Sequence, residues 1–116
     1  MKGVRLDKMQ RSLIFERDGY RCLHCGRGGN LSVQHRINRG MGGSSSIAVH
    51  APSNGVTICW QFNTQMESDA LLAEFARDKG WKLRPGEDPT QRPVWDMADQ
   101  LWYRLDNEYG RTPTWG

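Results

Sequence analysis

The sequence predicts a small α+β domain, and three observations carry that expectation. Two short strand-like runs, Leu31–His35 and Gly55–Cys59, are followed at once by a helical stretch that reaches Gly80. A capped helical run from Asp7 to Arg17 precedes them, and two aromatic-rich runs follow between Pro93 and Leu105. Thirteen glycines and five prolines in 116 residues keep these elements short and the turns frequent. A chain of this length supports one modest core, so residues 1–84 are expected to form the main domain. Residues 85–116 then supply a linker and a hairpin that packs back on it.

Composition excludes several classes. No apolar run approaches the ~20 residues of a membrane span. The N-terminal MKGVRLDKMQRS has no apolar stretch of the kind a secretory signal needs. Three cysteines, an odd number, argue against a disulfide framework, so a reduced, cytoplasmic chain is expected. The net charge of +3 and pI near 9.0 favour polyanionic partners, but only mildly.

Taken in order, Asp7 is placed to cap the first helix, with Met9, Leu13 and Ile14 as its apolar stripe. Lys8, Arg11 and Arg17 fall on the polar side, and Asp18-Gly19 ends the helix. Tyr20–Gly26 carries Cys22-x-x-Cys25-Gly26, a knuckle in which a tight turn aims two thiolates at one point. A redox CxxC would instead follow a buried strand and open a helix, and no such setting is visible. His24, inside the knuckle, reads as a solvent-facing residue.

The Leu31–His35 strand alternates, with Leu31, Val33 and His35 on one face and Ser32 and Gln34 on the other. It runs into a basic, glycine-rich loop bearing Arg36, Arg39, Gly40, Gly42 and Gly43, with His50 near its far end. A loop this long in so small a domain points to binding. Ser-Asn54-Gly is a turn signal ahead of the second strand. Thr64-x-x-Glu67 has the form of a capping box, and Met66, Ala70, Ala73 with Leu71, Phe75 form two adjoining apolar rows. Gly80 closes that helix, and Trp81–Leu83 is expected to be extended. Pro93–Trp95 and Leu101–Leu105 make the hairpin, leaving Arg111–Gly116 as a frayed tail. The tryptophans read as core or lid, with base stacking as the alternative for Trp60.

The combination of FERDGYRCLHCG, LSVQHRINRGMGG and SNGVTIC, leading into a helix that ends in GWKL, resembles the HNH endonuclease family. These are the ββα-metal nucleases, and the chain is most similar to the small HNH proteins of actinobacterial phages. The resemblance covers Ser12 to Trp81. It implies a ββα-metal core with an N-terminal helix, a CxxC knuckle and a C-terminal β-hairpin, acting as a metal-dependent DNA endonuclease.

By that resemblance His35 is the general base that activates water, an imidazole being suited to working pH. Asn54 holds the base and its loop, while Gln34 and Asn63 fall where the family binds Mg²⁺ or another divalent ion. Arg36 and Arg39 would grip the backbone phosphate, with Lys82 and Arg84 as further nucleic-acid contacts. The family's knuckle implies structural Zn²⁺ on Cys22, Cys25 and Cys59. Phe62 stands where a fourth ligand is usual, leaving His24 or His50 as the remaining histidine donors. Gln34 stands where Asp or His is usual, so the alternative expectation is a module that binds DNA without cutting it. DNA is the expected partner under both, with phage packaging or replication proteins as further partners.

Overall fold

In the computed structural model, which describes residues 7–37 and 49–116, the described residues form an α+β fold with three helices and two small antiparallel sheets. Helix α1 spans Lys8–Arg17. Asp7 caps it, and Gln10 completes a reciprocal capping box by reaching back to the Asp7 amide. Strand β1 (Leu31–His35) pairs with β2 (Gly55–Cys59) in a register that sets His35 against Gly55 and Gln34 against Val56. Helices α2 (Trp60–Ser68) and α3 (Ala70–Asp78) follow. Strands β3 (Val94–Asp96), β4 (Leu101–Leu105) and β5 (Arg111–Thr114) make the second sheet. No described helix is long and apolar enough to cross a membrane.

The β1–β2 hairpin lies between two layers. Ile14 of α1 packs on the face that carries Val33, close enough that a Cβ on Gly55 would stand 2.7 Å from its Cδ1. Ser32 and Gln34 occupy the other face, where Val56 and Ile58 join Phe62, Met66, Ala76 and Trp81 in the main core. Val94, Tyr103 and Leu105 of the second sheet belong to that same core. The C-terminal segment therefore shares its apolar burial with the rest of the chain.

Several expectations need correcting. In α1 the buried residue is Ile14, while Met9 is 71% exposed, because the helix rests on the hairpin through its last turn. Arg17 is not on a solvated face: its guanidinium donates to Asp18 and to the carbonyls of Pro52 and Gly55. Thr64 caps nothing. Helix α2 begins four residues earlier, capped by the Cys59 sulfur, which accepts from the Phe62 amide. The single expected helix is broken at Asp69, whose extended backbone and carboxylate cap α3 through Leu71 and Leu72. That break resets the helical phase, so Ala70 and Leu71 face solvent while Met66 and Ala76 are buried. Residues 111–114 form no frayed tail; they pair with β4 as an edge strand that tolerates Pro113.

Gly80 has a strict role. Its φ of +81° lies in the left-handed region, and a Cβ there would overlap the Pro93 carbonyl oxygen. Chain reversal after α3 and docking of the second sheet both depend on this glycine. Gly80→Ala is expected to cost about 2–4 kcal/mol in urea unfolding, combining the backbone penalty with the forced shift of Pro93. A loss below about 1 kcal/mol would contradict the close approach.

Candidate functional site

The strand that carries His35 is regular to its end, so alternate side chains take opposite sides. His35, half-buried, sits on the α1 side. Gln34 is buried on the other side, its amide nitrogen 3.4 Å from the Trp81 carbonyl. Asn63 is anchored on that same side: its amide donates to the Ser32 hydroxyl at 2.9 Å, and Ser32 in turn donates to the Ile58 carbonyl. The three residues expected to share one centre are thus divided. Gln34 and Asn63 lie between hairpin and α2, away from His35.

What the structure does bring to His35 is His50, with ring centroids 5.1 Å apart in an edge-to-face arrangement. The sequence places His50 only near the far end of the basic loop, as a spare histidine donor for the knuckle, and gives no sign of this contact. The device that joins the two is Asn54, which is wholly buried. Its side-chain oxygen accepts from the Ile37 amide, and its nitrogen donates to the carbonyls of Ile37 and Val49. Its backbone carbonyl accepts from the Arg36 amide. One side chain therefore fastens the chain just after His35 to the chain just before His50. A signal for this was present, since Asn54 lies four residues beyond His50 and precedes a strand that must pair with β1.

Arg36 is not a phosphate ligand. It is fully buried, and its guanidinium donates to the carbonyls of Gly80, Ser53, Pro89 and Arg92. Its own carbonyl accepts from the Leu83 amide. Burial pulls its pKa down to about 9, which leaves it charged at neutral pH. Arg39 lies outside the described residues. Lys82 is largely covered and pairs with Glu67 at 3.8 Å, and Arg84 pairs with Glu74 at 2.9 Å. Among the described residues, Lys8, Arg11, Arg27, Arg36, Lys79 and Arg104 are cations with no ion pair.

The arrangement decides what Gln34→Asp would do. It would place a shorter carboxylate in a buried pocket facing a carbonyl oxygen, not beside His35. We expect a loss of about 2–3 kcal/mol in unfolding free energy and no gain in metal affinity. Tighter binding of Mg²⁺ by the variant, measured by calorimetry, would overturn this placement.

The knuckle is well formed. The sulfurs of Cys22, Cys25 and Cys59 all lie within 4.8 Å of one another, a group that could hold a metal ion such as zinc. Tetrahedral coordination by thiolates at ~2.3 Å separates sulfurs by about 3.8 Å, so small adjustments suffice. Backbone amides of His24 and Cys59 donate to the Cys22 sulfur, and the Phe62 amide donates to Cys59. Such donors offset thiolate charge. Burial pushes the Cys22 thiol up to about 12. At Cys25 burial also raises the pKa, but the Arg27 amide, the neighbouring sulfurs and the Arg27 charge outweigh it, and the net direction is down. A metal entering the site would displace the Cys22 proton.

His24 does not face solvent as expected. Its ring stacks on Phe62 with centroids 3.7 Å apart and planes 6° from parallel, with Phe75 and Trp81 set edge-on. Burial lowers its pKa, so the neutral ring is favoured. Phe62, buried where the resemblance has a metal ligand, belongs to this aromatic stack. No family model matches the chain, and neither a curated protein nor a solved structure matches it.

Proposed function

We propose that the chain is an HNH-type DNA endonuclease that nicks phosphodiester bonds with His35 as general base. The observation that carries this reading is the Asn54 clamp. It fixes the backbone on both sides of a half-buried histidine pair at the end of a strand, which is how a base is held still against its target. The order of hairpin, basic loop and following helix supports it, as does the resemblance carried by LSVQHRINRGMGG.

In this reading His35 accepts the proton of the attacking water, and the 3′ oxygen leaves and takes a proton from solvent, giving 5′-phosphate and 3′-hydroxyl ends. His50 touches the base and limits its rotation. The Mg²⁺ ligands that the resemblance assigns do not fit. Gln34 and Asn63 lie on the face of the hairpin opposite His35, so they cannot hold an ion beside the base. Among the described residues the ring beside His35 is the imidazole of His50, and an imidazole pair suits borderline ions such as Zn²⁺, Ni²⁺ or Co²⁺ better than Mg²⁺.

A second reading is favoured by those same engaged side chains: a module of this fold that binds DNA without cutting it. Incubation of supercoiled plasmid with Mg²⁺, Mn²⁺, Co²⁺, Ni²⁺ or Zn²⁺ separates the two. Nicking that disappears in His35→Ala supports the nuclease. Salt-dependent DNA binding with no nicking in any metal, equal in both proteins, supports the binding module.

A further inference from the structure

The cysteine cluster has three protein donors, two of which border an open groove. Phe62 occupies the expected ligand position and is committed to the aromatic stack, with 2% of its surface exposed. His24 is held in that stack, and His50 lies against His35. Among the described residues no further Cys, His, Asp or Glu joins the group.

Cys25 and Cys59 instead line two adjoining concavities, of about 290 and 240 Å³, that share Arg27 and Gln61. Trp60, 58% exposed, forms one wall of the larger. Cys22 is fully buried while Cys25 is exposed, so the cluster is closed on the core side and open toward Arg27.

We propose that the Cys22/Cys25/Cys59 centre keeps its fourth coordination position open to this groove and takes a small thiol there as an exogenous ligand. A site with four protein ligands is closed, whereas one with three leaves a position for an outside donor. A soft thiolate suits an ion already bound by three sulfurs. A divalent ion with three thiolates carries one net negative charge, and a fourth thiolate adds another. The Arg27 guanidinium, without an ion pair among the described residues, offsets that addition. The incoming thiol gives its proton to buffer and displaces water; no electron is transferred. The groove is large enough for a side chain of a few heavy atoms and too small for a folded partner.

The test uses the whole protein loaded with one equivalent of Co²⁺ and read by its visible and sulfur-to-cobalt absorption. The expected starting spectrum is that of three thiolates. Titration with 2-mercaptoethanol should raise the charge-transfer intensity by about a third, saturably, with cobalt still bound after gel filtration. Arg27→Ala should weaken the thiol response several-fold when compared at a cobalt concentration that saturates both proteins. Gln61→Cys, at an exposed position on the groove, should give the four-thiolate spectrum without added thiol.

A spectrum that ignores 2-mercaptoethanol overturns the proposal, as does loading that depends on His24 as a nitrogen donor or a failure to bind cobalt stoichiometrically. None of these readouts involves DNA cleavage, so failure here and failure of the nuclease reading are distinguishable.

Discussion

Arg36→Ala is expected to be the most destabilising single substitution in the chain, lowering unfolding free energy by about 4 kcal/mol or more. The guanidinium bridges four carbonyls from three separate segments: Ser53 before β2, Gly80 after α3, and Pro89 and Arg92 in the turn-rich stretch before β3. Truncation leaves these acceptors facing a cavity the size of a long side chain. Each buried acceptor left without a donor costs roughly 1–3 kcal/mol. Arg36→Lys should recover only part of this, because an ammonium cannot reproduce the planar fork. Urea unfolding of both variants checks the prediction. If the alanine variant unfolded like wild type yet lost DNA affinity, Arg36 would be a ligand for phosphate after all.

His35→Ala is expected to reduce plasmid nicking by about 10²–10⁴-fold, the range that a positioned general base contributes. Stability should change by less than about 1 kcal/mol, because the ring is half-buried and its strand pairs through backbone with Gly55. His50→Ala should give a smaller loss, since in this reading His50 acts by restraining the His35 ring. Rates are compared at fixed metal and salt, with circular dichroism confirming the fold. Equal nicking by wild type and His35→Ala would remove the nuclease assignment.

Local patterns were legible in the sequence and distant partners were not. The alternation of Leu31–His35 foretold which side chains share a face, and Asp7 foretold the start of α1, because both depend on neighbours within a few residues. The break between α2 and α3 was hidden. Met66, Ala70 and Ala73 continue a helical row across Asp69, and the Thr64–Glu67 box competes with the cap at Cys59. Arg36 was misread for a deeper reason. An arginine beside a histidine resembles a phosphate clamp, and only assembly of residues 53, 80, 89 and 92 shows that carbonyls surround it. His50 was passed over because its approach to His35 depends on a side chain, Asn54, whose three bonds close only in the folded state.

Asp18 ends α1 and is almost wholly buried, accepting from Arg17 and from both the amide and hydroxyl of Thr57. Its outer side meets Arg111 of β5 at 3.8 Å, and that arginine also binds Asp96 and Asp99 and lies 3.8 Å over the Tyr103 ring. The first helix and the last strand are therefore joined through one charge network. A nascent chain can assemble α1 and the β1–β2 hairpin early. The carboxylates of Asp96 and Asp99 stay without Arg111 until β5 docks. Completion of this fold waits on β5, and removing that strand should leave a chain that starts to fold but does not finish.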